Sequence, residues 1–242
     1  MDSLNILSDR AYVLHTRPYR DTSMLVDVFT ADHGCFRVVA KGARSKRSSN
    51  KGLLQPFSPL IIHWRGQREL VTLREVEPAG PPCQFNTYFT LVGFYLNELL
   101  TRLLHPLEAM PGCFQRYEQT LQTMSQVPGD MSALRIFERD LLQALGYGLR
   151  LTTTAETEEP VQPDQTYRYE FSSGPVATSE NDRGLCLKGN TLLALAKGEF
   201  TDETQLQMSK RLLQLALSAI LGPKPLRTRQ LMREYLQQQA ID

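Results

Sequence analysis

The chain has 242 residues, enough for one large domain or two to three small ones with proper cores. Its 27 Lys and Arg stand against 26 Asp and Glu, a near balance that taken alone speaks against a polyanionic partner. That balance hides an asymmetry, since residues 1–80 hold 12 basic against 8 acidic residues and the remaining 162 hold 15 against 18. Asp2, Asp9, Arg10, Arg17 and Arg20 interrupt the N-terminus and leave no apolar signal core, and no apolar run approaches the roughly 20 residues that span a bilayer. Cys35, Cys83, Cys113 and Cys186 form no C-x-x-C pair. The expectation is a cytoplasmic protein with reduced thiols, no zinc, no cofactor and no membrane segment.

Residues 11–77 read as strands. Ala11–Thr16 and Ser23–Thr30 are rich in β-formers, and Cys35–Ala40 alternates, with Phe36 and Val38 on one face and Arg37 and Val39 on the other. Asp32-His33-Gly34 marks a tight turn in which the glycine supplies a positive φ. Ser58–Trp64 and Leu70–Glu77 follow, joined by a turn containing Gly66. Five short strands with one longer connection after the third suit a small closed Greek-key barrel; the oligonucleotide-binding (OB) barrel is the commonest solution, and an SH3-like barrel fits the same pattern. Pro78-Ala-Gly80-Pro81-Pro82 breaks the chain and ends this domain at residue 80.

Beyond it the period becomes helical. Asn86–Leu104 carries Tyr88, Leu91, Val92, Tyr95, Leu96 and Leu99 at three- and four-residue spacing, with Asn86 or Thr87 as the cap. A second helix runs from about Gly112 to Ser125, and a third, capped by Asp130 or Ser132, closes at Gly146 in a left-handed position. These helices predict a bundle over residues 81–150. Thr152–Asp182 holds seven acids against Arg168 and reads as an acidic connection into one hairpin, Tyr167–Phe171 with Pro175–Ser179. A short helix to Gly198, a long one opened by Thr201-Asp-Glu-Thr and stopped by Gly222-Pro223, and a last one over Leu226–Gln237 complete residues 151–242, the C-terminal helices packing on the bundle. The fold class is α+β.

Chemistry concentrates in one stretch. Lys41-Gly-Ala-Arg44-Ser-Lys46-Arg47-Ser-Ser-Asn-Lys51-Gly52 carries five cations and no acid, and no Asp or Glu occurs from His33 to Arg68, where Arg37, Arg65 and Arg68 add to the charge. A polyanion is the natural partner of such a face, and flexible glycines with cations suit phosphates better than base edges. Lys224, Arg227, Arg229 and Arg233 form a second basic group, with Lys210 and Arg211 nearby. Tyr12, Tyr19, Phe36, Phe57 and Trp64 are the aromatics available for stacking bases, and most of them are needed to fill the barrel. No G-x-S-x-G, H-E-x-x-H, Walker or G-x-G-x-x-G signature occurs, and no histidine has a nucleophile or carboxylate at a dyad spacing. The chain therefore reads as a non-enzyme.

Ala11-Tyr-Val-Leu-His-Thr-Arg-Pro-Tyr-Arg-Asp-Thr-Ser, Asp27-Val-Phe-Thr, Val39-Ala-Lys-Gly-Ala-Arg-Ser-Lys-Arg and Leu54-Gln-Pro-Phe resemble the bacterial RecO family of recombination mediators. Tyr95-Leu-Asn-Glu-Leu-Leu, Phe137-Glu-Arg-Asp-Leu-Leu, Leu145-Gly-Tyr-Gly and Lys224-Pro-Leu-Arg-Thr-Arg continue the match, which looks closest to the enterobacterial type. The resemblance implies an N-terminal OB barrel, a helical domain and a smaller C-terminal region. It implies binding of single- and double-stranded DNA, annealing of complementary strands, and action with RecR, and in some pathways RecF, to load RecA onto DNA coated by single-strand-binding protein (SSB). It also implies docking of the SSB C-terminal tail in the helical domain, where Arg135 aligns with an arginine the family uses; an exposed arginine beside apolar residues would grip a terminal carboxylate. Some family members carry a four-cysteine zinc site in the C-terminal half, which is cysteine-free here over Thr152–Asp182. The DNA-binding set is thus Arg37, Lys41, Arg44, Lys46, Arg47, Lys51, Arg65, Lys224, Arg227 and Arg229, in a nucleoid-associated protein. The alternative reading is a protein-tail adaptor whose basic loop is incidental.

Overall fold

Alternating apolar residues commit five N-terminal segments to strands, and in the computed structural model, which describes residues 6–45, 50–66, 70–178 and 183–239, they close into a barrel. The strands are β1 (Ile6–Tyr19), β2 (Ser23–Thr30), β3 (Gly34–Ala40), β4 (Leu60–Arg65) and β5 (Leu70–Pro78), in the order β1-β2-β3-β5-β4. All neighbours are antiparallel except β3 and β5, which pair in parallel from Arg37↔Leu70 to Val39↔Thr72. This order and the long connection after β3 make an OB barrel, as the strand pattern predicts. Val26, Val28, Val38, Ile62 and Trp64 fill the interior, and the β3–β4 connection, with its four-residue helix α1 (Asn50–Leu53), adds Ala43 and Leu54 to that core.

β1 is longer than Ala11–Thr16 because it serves two neighbours. Ile6–Ala11 pairs with β4 and Ala11–Tyr19 with β2, with a register shift between Val13 and His15. Polar residues at Ser8, Asp9 and Arg10 conceal the first half from a hydrophobic pattern. The β2–β3 turn carries Gly34 at φ +68°, and the space is as demanding as the angle: a Cβ there would lie 2.0 Å from the Glu108 carbonyl oxygen.

α2 (Thr87–Leu103) begins where the Asn86 carboxamide accepts the Phe89 N–H at 2.8 Å, and α3 (Pro111–Gln126) follows a short turn. α2 packs along β1 and against α3, and α3 covers the outer face of β1 and β2. Tyr12 and Phe29, which face outward, meet Phe114 and Tyr117 with ring centroids 5.3–6.2 Å apart. Asn97, 2% exposed, joins all three elements: its amide donates to the Leu14 carbonyl at 2.9 Å and its oxygen accepts from the Tyr117 hydroxyl at 2.6 Å.

The described chain divides into two compact units, Met1–Pro128 with Pro225–Asp242 and Gly129–Lys224. The second holds α4 (Ser132–Ala144), a sheet of β6 (Thr166–Glu170), β7 (Gly174–Ala177) and β8 (Cys186–Lys188) in the order β7-β6-β8, then α5 (Gly189–Lys197) and α6 (Glu203–Leu221). The predicted hairpin is present as β6 and β7; the third strand, three residues long, is too short to carry a pattern. Gly146 (φ +83°) and Gly198 (φ +79°) close α4 and α5 in the left-handed region. Phe137, Leu142, Leu195, Leu212 and Leu217 make the unit's core, and the Arg139 guanidinium donates to the Leu195 and Ala196 carbonyls at 2.7 Å, satisfying the end of α5.

The last helix, α7 (Arg227–Gln239), returns to the first unit and packs on α2. A carboxylate from α2 holds its N-terminus: Glu98 accepts the Arg227 N–H at 3.0 Å, the Thr228 N–H at 2.9 Å and the Thr228 hydroxyl at 2.6 Å. Burial alone would raise the Glu98 carboxyl, but these bonds and the nearby Arg102 outweigh it and hold it below the ordinary glutamate value. A group lowered in this way contributes stability that is complete above its unfolded pKa and disappears as pH falls through its folded pKa. Docking of α7 should therefore weaken below the ordinary glutamate range, and Glu98→Gln should remove that dependence while making α7 easier to cleave; limited proteolysis across pH reads both.

Candidate nucleic-acid interface

Two turns meet at the end of the barrel where β3 finishes. The register from Tyr19↔Ser23 to Met24↔Ala40 sets the tip of the β1–β2 hairpin beside the start of the β3–β4 connection. The Arg44 N–H donates to the Thr22 carbonyl at 2.8 Å, and its guanidinium donates to the Arg20 and Asp21 carbonyls at 3.3 and 3.5 Å. Arg44 is thereby held against the hairpin tip at Arg20, with Arg17 on the strand that leads into that tip and Lys41 at the start of the turn after β3; all four are exposed, with Asp21 the exposed acid among them. Arg20, at φ +51°, carries its guanidinium 5.3 Å from the centre of the half-buried Tyr19 ring. Cations with an aromatic ring at one end of an OB barrel can hold phosphates and offer a surface for a base.

Tyr19 is one of the aromatics expected to be available for stacking, but Arg17 and Arg20 were not among the predicted site residues, because a strand ending at Thr16 leaves them in a turn. No hydrophobic alternation marks them, since His15-Thr16-Arg17 is a polar run ahead of Pro18-Tyr19; only the pairing with β2 extends β1 to Tyr19. Lys51 is exposed on α1, whereas Lys46 and Arg47 lie outside the described residues.

Other predicted cations are engaged or lie elsewhere. Arg37 sits on the barrel wall facing Asp27 across the β2–β3 ladder, its Nε donating to that carboxylate at 2.6 Å, with His15 Nδ1 3.6 Å from the second oxygen. Its charge is therefore largely answered within the fold. Arg65 pairs with Ile6, at the far end of β1 from the hairpin tip, and its enclosed Nε has no hydrogen-bond partner among the described residues. On the same outer face of β4 and β5, His63 Nε2 lies 3.0 Å from Glu77, and Glu75 joins them with ligand atoms within 4.8 Å of one another. These exposed carboxylates would repel a strand crossing that face. The Cys35 and Cys83 thiols are pushed above their ordinary range by burial, which keeps them protonated and poor nucleophiles.

Comparison with known proteins separates the barrel from the helices that follow it. Residues 1–82 match the family model "Recombination protein O N terminal" and residues 88–230 match "Recombination protein O C terminal". The chain belongs to the RecO family. A protein named DNA repair protein RecO from Vibrio cholerae serotype O1 is 43% identical over 225 residues, covering 93% of each chain. RecO from Nitrosococcus oceani is 43% identical over 232 residues, covering 96% of this chain and 94% of its own, and RecO from Haemophilus influenzae is 43% identical over 225 residues, covering 93% and 95%. The RecO N-terminal match ends between β5 and α2, so the OB barrel is the RecO N-terminal domain.

Within this RecO chain, two predicted residues stand differently from expectation. Arg135 was expected to be exposed, ready for a carboxylate. Its side chain is 4% exposed, with Nη1 2.6 Å from Glu138 Oε2 one turn along α4, because the first turn of that helix is buried on the side that carries Leu134 and Phe137. Arg229 lays its guanidinium 5.4 Å from the Tyr95 ring centre and donates to the Tyr95 hydroxyl at 3.1 Å, so it anchors α7 to α2. Arg227 and Lys224 are exposed. No described helix is long and apolar enough to cross a membrane.

Proposed function

We propose that this chain is a non-catalytic recombination mediator that binds single- and double-stranded DNA and anneals complementary strands. It would act with RecR, with or without RecF, to help load RecA onto SSB-coated single strands. One observation carries this reading: the first basic turn after β3 is tied by Arg44 to the cationic β1–β2 hairpin, at the end of an OB barrel in a RecO-family chain. Such an arrangement grips the backbone without reading sequence, which is what annealing of arbitrary complements requires. The exposed Lys224 and Arg227 offer further cations to a second strand. Docking of the SSB tail belongs to the same proposal; Arg135 would reach a terminal carboxylate only by exchanging Glu138 for it.

The test is annealing of complementary oligonucleotides coated with SSB. The chain should speed duplex formation well beyond the spontaneous rate, and it should shift bare single-stranded DNA in a gel. If SSB is bound while bare DNA is not, the protein is an adaptor and the DNA reading fails.

A further inference from the structure

We infer that the mouth of the barrel beside the β2–β3 turn is a pocket for one unstacked nucleobase of a DNA strand. This rests on the proposed DNA binding and adds a second site to it, at the opposite end of the barrel from the Lys41–Arg44 turn.

The mouth encloses a cavity of about 340 Å³ lined by Leu7, Asp32, His33, Phe36, Trp64 and Leu107 among others. That volume is at the lower end for small-ligand sites, about 300–1,000 Å³. Its floor is aromatic. Trp64 lies between two rings, Phe36 with centroids 4.9 Å apart and His33 at 5.0 Å, edge to face. Asp9, almost buried inside the barrel's end, holds the turn over this floor: one of its oxygens accepts the Asp32 N–H at 2.8 Å and lies 2.9 Å from His33 Nδ1. His33 Nε2 is then the ring nitrogen that remains for the edge of a ligand. Leu107, 42% exposed, forms the opposite lip, fixed by its N–H donating to the Cys35 carbonyl at 2.9 Å.

The polarity selects the occupant. Asp9 and Asp32 make the mouth hostile to a phosphate, while the apolar and aromatic walls favour a flat neutral ring.

Trp64 is the chain's one tryptophan, so its emission reports on this pocket alone. The full-length protein is titrated with a fluorescein-labelled oligothymidine, following anisotropy and Trp64 emission together. Emission should fall and saturate with the anisotropy, and a strand of the same length with abasic sugars should bind without quenching. Leu107→Glu, a change at an exposed lip, should raise the Kd for oligothymidine roughly five-fold or more, with the abasic strand unaffected. His33→Ala should do the same. Binding with no change in Trp64 emission, or equal quenching by the abasic strand, overturns the pocket and leaves DNA binding intact. Saturation by free thymidine monophosphate at the same concentrations overturns the assignment to a strand. Absence of any anisotropy change overturns the DNA-binding reading, and the pocket with it.

Discussion

Replacing Arg17 and Lys41 by alanine and Arg20 by asparagine should lower the affinity for single-stranded DNA and flatten its salt dependence by about 2 units of log–log slope. Each phosphate contact on a single strand contributes about 0.7 to that slope through counterion release, and three are removed. These residues are chosen because all are exposed and none of them forms an ion pair among the described residues. Arg44 is left in place, since it holds the two turns together through the Thr22, Arg20 and Asp21 carbonyls and its loss would confound charge with geometry. Asparagine is used at position 20 because the backbone there has φ +51°, which asparagine tolerates better than alanine. Anisotropy over a salt series with several unrelated sequences reads the outcome, and the loss should be similar for all of them. An unchanged slope would remove the hairpin end from the interface. Arg37→Ala, by contrast, should move the slope little, since Asp27 already answers that charge.

Asn97→Ala should destabilise the first unit by about 3 kcal/mol, the cost of leaving the Leu14 carbonyl and the Tyr117 hydroxyl buried and unpaired at about 1–3 kcal/mol each. The need arises in β1. The register shift between Val13 and His15 takes Leu14 out of the regular ladder, and the Asn97 amide reaches across from α2 to its carbonyl. Its oxygen then receives the Tyr117 hydroxyl from α3, so one buried carboxamide fastens two helices to the barrel wall. Tyr117→Phe, which leaves the amide's bond to Leu14, should cost nearer 1 kcal/mol, and the two changes together should cost less than their sum. Urea unfolding followed by Trp64 emission measures the barrel directly. An Asn97→Ala protein within about 0.5 kcal/mol of the parent would show that β1 and the helices are held by ring packing alone.

The sequence by itself determined the strand and helix periods, the turns and the stretch where charge collects. Alternation in Cys35–Ala40, the Asp32-His33-Gly34 turn, the Asn86 cap and the glycine stops at Gly146 and Gly198 are local properties, each decided by residues within a few positions of one another. The family was legible for a similar reason: its motifs are contiguous runs. Which cations are available was not. Arg37, Arg135 and Arg229 look equivalent to Lys41 and Arg44 in a linear reading, and they differ only because Asp27, Glu138 and Tyr95 come beside them when strands pair and helices pack. The same holds for Arg17 and Arg20, whose place beside the basic loop follows from the length of β1 and its register with β2. The division of the helices also came from packing. α3 buries its apolar stripe on Tyr12 and Phe29, outward-facing aromatics of the barrel, and α2 packs along β1, whereas α4 buries its stripe with α5 and α6. An amphipathic period says that a face must be covered; only the tertiary structure decides by what, because the hydrophobic effect has no preference of direction.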